Sequence, residues 1–205
     1  MTNKRVKQRF KKPVDEKKDL DDLLFSSERI NVALLNNHIN FLTGEICEEN
    51  VTEIIRWIAY ENTLNTEIPL TLFINSTGGS LTDAFALIDI MHNSHRKIRT
   101  FGIGNVMSAA FLVFATGMKG ERYIGKYASI MCHQYSGDIY GKHHDIKAQY
   151  KETELLNKRM VDVLKRATYM EEKSIKSKLL PPTDVWLTAD ECIKLGVADK
   201  FIRMN

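Results

Sequence analysis

Leu70-Thr71-Leu72-Phe73-Ile74-Asn75-Ser76-Thr77-Gly78-Gly79-Ser80-Leu81-Thr82-Asp83 is the stretch on which the fold of this 205-residue chain turns. Leu70 to Asn75 is an apolar run of strand length, and Ser76-Thr77-Gly78-Gly79 is expected to break it. Ser80, with Asp83 three positions on, is a cap for a helix running through Met91. The unit is strand, Gly-Gly turn, helix, and it recurs downstream. Ile98 to Ile103 reads as the next strand, and Ser108 opens an apolar helix over Ala109 to Ala115. Strands and helices alternating after residue 40 predict an α/β fold of repeated strand-turn-helix units with a mostly parallel sheet.

Upstream, Asp19 to Arg29 reads as a short helix, and Ile30 to Leu35 and Ile39 to Leu42 as apolar strands around the Asn36-Asn37 turn. Val51 to Tyr60 puts Ile54, Ile55 and Ile58 on one helical face. Downstream, Tyr123 to Gly125 and Ala128 to His133 supply strands, and Gly137 and Gly141 punctuate the segment that follows. From His144 to about Met170, apolar residues recur every three or four positions among many charges, the pattern of a long amphipathic helix. About 25 residues at 1.5 Å each span about 38 Å, so the outer part is expected to pack on another subunit. Pro181-Pro182 stops helical structure, leaving Asp184 in a loop. Thr188 to Glu191 is a capping box for a last short helix ending at Gly196.

Apolar residues are 43% and charged residues 27% of the chain, the balance of a globular protein. The net charge of +3 conceals a basic tail: Met1 to Lys18 holds eight Lys or Arg against Asp15 and Glu16. Phe10 is its one aromatic residue, so a solvated or processed extension over residues 1–18 is expected in preference to a nucleic-acid arm. Cys47, Cys132 and Cys192 are odd in number and far apart, which suggests neither a disulfide framework nor a zinc site. No apolar signal region follows the basic start, and no run of about 18 apolar residues occurs. The expectation is a reducing, cytoplasmic setting without membrane or nucleic-acid partners, a plastid or other organelle also being open.

Acyl transfer needs a nucleophile, a base and donors aimed at an oxyanion. In Phe101-Gly102-Ile103-Gly104-Asn105-Val106-Met107-Ser108-Ala109-Ala110, glycines permit a sharp turn that would set Ser108 at a helix start. Gly78 and Gly79, lacking Cβ atoms, let main-chain amides approach a substrate carbonyl. The blander alternatives are Ser108 as a packing or capping residue and Gly78-Gly79 as a turn or anion site. His133, at a strand end, is of the residue type most often used as a general base. Cys132 would face away from it, because neighbours along a strand point to opposite faces. His92 and His95 read as complements to a helix dipole, not as metal ligands. The residues alone describe a hydrolase without naming it.

Read together, five segments resemble the Clp proteolytic subunit family: Phe41 to Ile46, Ile74 to Ser80, Gly104 to Ala110, Met131-Cys132-His133-Gln134, and Asp184 to Asp199. The resemblance runs from about Leu20 to Ile202. It implies the Clp protease and crotonase-like fold with a protruding handle helix, a peptidase domain over 19–205, and a handle over about 134–170. It further implies a serine endopeptidase with Ser108, His133 and Asp184 as triad, the amides of Gly79 and Ala109 as oxyanion hole, and Gly78 in substrate binding. No cofactor or metal is implied. Partners would be an ATP-driven Clp unfoldase of the AAA+ class, which feeds unfolded polypeptides to heptameric rings stacked as a tetradecamer, with paralogous subunits as a variant. Rival readings are an inactive ring subunit and a crotonase-like acyl-CoA enzyme. Thr77, where the family usually has proline, Ala109, where it has methionine, and Pro182-Thr183, where it has an arginine before the aspartate, depart from its pattern.

Overall fold

The computed structural model describes residues 26–203. The chain divides into two units, Met1–Asn37 and His38–Asn205. In the first, the described part is one helix, α1 (Ser26–Asn36), so Ile30 to Leu35 is helical and the strand expected there is not formed. An apolar run of six residues does not by itself discriminate strand from helix. Here backbone bonds from Asn37 N–H to the Ala33 and Leu34 carbonyls, at 3.2 and 3.0 Å, close the last helical turn. Of the helix expected over Asp19 to Arg29, the part before Ser26 lies outside the described residues, as does the basic tail.

The second unit runs β1 (Ile39–Ile46), α2 (Glu48–Glu61), β2 (Leu70–Gly79), α3 (Leu81–Asn93), β3 (Ile98–Met107), α4 (Ala109–Ala115), β4 (Arg122–Ile124), β5 (Ser129–Cys132), α5 (His143–Thr168), α6 (Glu172–Lys178), β6 (Val185–Leu187), α7 (Ala189–Lys194) and β7 (Lys200–Phe201). The expected α/β alternation is present. β1, β2, β3, β4 and β7 are neighbours in that order and all parallel. β3 is forked: Thr100 to Gly102 pairs with β4, whereas Asn105 to Met107 pairs with β5. β6 then adds to β5 as the sheet's antiparallel pair.

Beyond the extension of β3 from Ile103 to Met107 and the unannounced short strands β6 and β7, two features differ from the sequence reading. Ser76 to Gly79 does not end β2; the strand continues through both glycines, with its register against β1 shifting between Thr43 and Glu45. The glycines supply the positive φ angles, 96° at Gly78 and 145° at Gly79, that let the ladder resume past that irregularity. The second difference is α6, a short helix between the long helix and the proline pair that the charge-rich sequence did not announce.

Alternating residues of the strands and the inner faces of α2 and α3 build the core, including Leu42, Leu72, Ile74, Ile58, Leu87 and Ile88. Every residue of α4 is buried, as expected of a helix that is apolar all round. Each large side chain so buried contributes about 1.5–3 kcal/mol relative to exposure, so α4 is a firm anchor for the turn that precedes it. α5 is 26 residues long, about 39 Å. Its buried residues begin at Leu156. No helix among the described residues is long and apolar enough to cross a membrane.

Candidate active site

The turn between β3 and α4 is the local feature from which the site is built. Ser108 has φ 53° and ψ −124°, outside the helical region that starts at Ala109. A side chain held at positive φ costs of order 1–3 kcal/mol and persists where surroundings over-determine it. Three constraints do so. Ser108 N–H donates to the Met131 carbonyl at 2.9 Å, its own carbonyl accepts from Phe111 N–H at 3.0 Å, and α4 is buried beneath it. The strained turn lifts the hydroxyl out of the ladder instead of into the core.

The same pairing that fixes Ser108 delivers His133. β5 lies beside the end of β3 with Met107 opposite Met131, and the chain leaves β5 at Cys132. His133, next along, brings Nε2 to 2.8 Å from Ser108 Oγ. That is hydrogen-bond reach for moving a proton between them. Cys132 points the other way and is buried, and burial pushes its thiol pKa up to about 12, so it holds no thiolate at neutral pH.

Asp184 occupies the loop before β6, as expected, and is exposed. β6 pairs with β5 so that Val185 stands opposite Cys132; continuing that antiparallel register one step sets Asp184 across from His133. The register brings the two residues alongside one another, but no hydrogen bond joins the carboxylate to the imidazole among the described residues. Gln134, next after His133, reaches the segment that leads to this loop: its Nε2 donates to the Leu180 carbonyl at 2.9 Å.

Gly78 is packed directly against the turn. A Cβ there would lie 2.6 Å from Ser108 Cβ and 2.9 Å from the Met107 carbonyl, so only glycine fits. Gly79 turns toward β1, where a Cβ would overlap the Ile46 backbone. The peptide joining the two glycines therefore runs beside the Ser108 turn, and its N–H belongs to Gly79. Ala109, the first residue of α4, is buried.

Two further residues shape this neighbourhood without having been singled out in the sequence. Ser76 is buried, and its Oγ accepts from Gly78 N–H at 3.1 Å. Asn75 Oδ1 accepts from Asn105 N–H at 2.9 Å, joining the two strand-turn units. Their signal was position alone, immediately before the glycines, because a short polar side chain there reads equally as turn composition. Ser80 does cap α3, accepting from Asp83 N–H at 3.2 Å. His92 lies in the last turn of α3, where burial and then Arg166, against Asp89, hold its pKa below the ordinary value. It is therefore a poorer cation for the helix end than the sequence suggested.

Residues 25–205 match the model of the family described as Clp protease. The ATP-dependent Clp protease proteolytic subunit of Borreliella afzelii is 29% identical over 169 residues, which cover 82% of this chain and 85% of the relative. The ATP-dependent Clp protease proteolytic subunit 1 of Borreliella burgdorferi is likewise 29% identical over 169 residues, 82% of this chain and 86% of that protein.

Proposed function

This chain belongs to the Clp protease family, and we propose that it is a serine-type endopeptidase subunit whose nucleophile is Ser108, with His133 as base and Asp184 as the carboxylate that orients it. The observation that carries this reading is the 2.8 Å approach of His133 Nε2 to Ser108 Oγ at a positive-φ turn. A serine kept in a packing role has no need of that backbone conformation, which is sterically unfavourable for any residue with a Cβ. The acyl-CoA alternative would need the paired amides but not the serine and histidine together.

The chemistry proceeds in two acyl transfers. Ser108 Oγ attacks the scissile carbonyl while His133 Nε2 takes its proton, and the C=O electron pair moves onto the oxygen. The N–H groups of Gly79 and Ala109 face that oxyanion, and Gly78 lets the substrate strand come close. Collapse breaks the C–N bond as the imidazolium returns its proton to the leaving amine. Water, deprotonated by His133, then releases the acid and restores Ser108. Asp184 holds the imidazole in the tautomer with Nε2 unprotonated, once its loop closes onto Nδ1.

In this reading residues 19–205 form the peptidase domain with a handle over about 134–170, and residues 1–18 are an extension dispensable for chemistry. Heptameric rings stack through the handle into a closed chamber in a cytoplasmic or organellar setting, and a separate ATP-driven unfoldase supplies unfolded chains. Without the arginine usual before Asp184, ring pairing rests more on apolar contact. A fluorophosphonate probe tests the central assignment. Covalent labelling that maps to Ser108 and vanishes in His133→Ala is expected; an unlabelled Ser108 in the assembled protein would instead favour an inactive ring subunit.

A further inference from the structure

The place of Ser108 beside Gly78 depends on a break in the ladder between β2 and β3. Leu70 to Ile74 pair in unbroken register with Ile98 to Gly102, but the next pair is Ser76 with Val106. Asn75 alone therefore faces Ile103, Gly104 and Asn105, two residues more than a regular parallel ladder would hold. Extra residues of this kind bulge out of a strand and re-aim the side chains that follow. Two residues amount to about 7 Å of strand. Carried on without the break, the first register would set Ser108 level with Ser80. With the break it comes level with Gly78, where a Cβ on the glycine would lie 2.6 Å from the serine Cβ. The break also falls where β3 leaves β4, last paired at Gly102, and joins β5, first paired at Asn105.

One side chain occupies the break. Asn75 Oδ1 accepts from Asn105 N–H at 2.9 Å. Gly104, at φ 55°, is pressed so closely against it that a Cβ there would lie 2.5 Å from the same oxygen. A side-chain carbonyl thus takes the place of a backbone acceptor in β2. Asn75 is exposed, so core packing gives no account of an asparagine at this position.

We infer that Asn75 is a positioning residue for the hydrolysis: its side-chain carbonyl pins the bulge of β3 to β2 and so holds Ser108 Oγ level with the Gly78-Gly79 peptide, whose N–H serves the oxyanion. This role rests on the peptidase reading above and adds a residue that acts on the chemistry through the Ser108 turn. His133 reaches Ser108 by way of β5 and not of β2. Loss of the Asn75 carbonyl should therefore disturb the fit between nucleophile and oxyanion donor before that between nucleophile and base.

The test uses the full chain and three variants at one position: Asn75→Ala, Asn75→Leu, which keeps the size and lacks the acceptor, and Asn75→Asp, which keeps an acceptor oxygen at the same reach. Misplacement of about 1 Å costs on the order of 100-fold in rate. In the first two variants kcat on a fluorogenic peptide should fall by about 100-fold, with KM within about threefold of the parent. Fluorophosphonate labelling of Ser108 should slow in step, since that small probe fills no extended peptide strand. Asn75→Asp should recover about tenfold or more on both readouts. A kcat within about threefold of the parent in Asn75→Leu, a loss confined to KM, or Asn75→Asp no better than Asn75→Ala overturns the role. If the parent neither cleaves peptides nor reacts with the probe, the peptidase reading has failed, and hydrogen exchange decides whether Asn75 pins the turn. The segment from Ile103 to Ser108 should exchange faster in Asn75→Ala and Asn75→Leu than in the parent and Asn75→Asp, while Ile98 to Gly102 stays as protected as before. Equal protection in all four proteins, or loosening of the whole strand alike, overturns it.

Discussion

At the Ser108 turn every constraint comes from the same chain: the Met131 carbonyl on its N–H, His133 on its hydroxyl, Gly78 against its Cβ and buried α4 behind it. The first half of α5 is the opposite case. Gln149 exchanges hydrogen bonds with the Tyr140 backbone at 3.2 and 3.0 Å. Yet Tyr140, Ile146, Tyr150 and Leu155 remain exposed, Tyr150 by 58%. One region is held by contacts within a subunit, and the other presents apolar surface that the described residues leave exposed. The difference teaches where to cut: if the proposed chemistry and the proposed assembly lie in separate parts of this sequence, each should be breakable alone.

The largest effect should come from Ser108→Ala, which removes the proposed nucleophile oxygen and keeps the Cβ that packs against Gly78. Peptide turnover should fall by several orders of magnitude, while sedimentation velocity finds the same assembly as the parent. Activity within tenfold of the parent would end the assignment. Gly78→Ala attacks the same region sterically. A methyl group 2.6 Å from Ser108 Cβ at φ 96° forces the turn to move, and misplacement of about 1 Å costs on the order of 100-fold in rate. Circular dichroism should show the fold retained, and a fully active variant would mean the two turns are not coupled as described.

A third way to sharpen the comparison is to weaken the framework without touching either region. Arg122 of β4 is buried, donates from Nε and Nη2 to Asp199 at 2.8 and 2.6 Å, and also reaches the Ala167 carbonyl at the end of α5 at 3.0 Å. Burial alone would raise the Asp199 pKa, but the Arg122 hydrogen bonds and charge outweigh it and leave the carboxyl below its ordinary 3.8. A carboxyl lowered on folding stabilises the fold above that ordinary value and loses the contribution as pH falls through the lowered one. Asp199→Asn should therefore cost about 3 kcal/mol at neutral pH by leaving Arg122 uncompensated. The gap to the parent in urea melts should narrow below about pH 4; a gap that does not depend on pH would deny the ion pair its role.

Smaller effects are expected in the first half of α5. Tyr150→Lys should leave the fluorophosphonate labelling rate per subunit intact in the assembled fraction and shift the assembly toward smaller species on dilution, most of all in the cold, where apolar association weakens. Unchanged sedimentation across that series would show that this half of α5 does not hold subunits together. Least of all is expected from deleting residues 1–18, a stretch charged and poor in apolar periodicity: folding and small-peptide cleavage should stay within about twofold. Insolubility of the truncated chain would make the tail structural.

Local pattern made much of this legible in advance. Strand-turn-helix units, the Ser80 and Thr188 caps and the long helix were readable because each depends on residues within a turn or two of one another. Ser108 and His133 were candidates for the same reason, one at a glycine-rich turn and the other at a strand end. Ile30 to Leu35 was misread because a short apolar run carries no period, and the passage of β2 through Gly78 and Gly79 because glycine marks both turns and bulges.

What the sequence determined by itself is therefore the strand-turn-helix order from β1 to α5, and the residue types able to do acyl transfer. Tertiary structure decided which of them meet. The fork of β3, pairing first with β4 and then with β5, brings His133 to Ser108 across 25 positions of chain. The antiparallel addition of β6, with Val185 opposite Cys132, sets Asp184 one step on, across from His133. Such contacts follow from strand register, and register is fixed by burial of a whole face at once and not by any neighbouring residue.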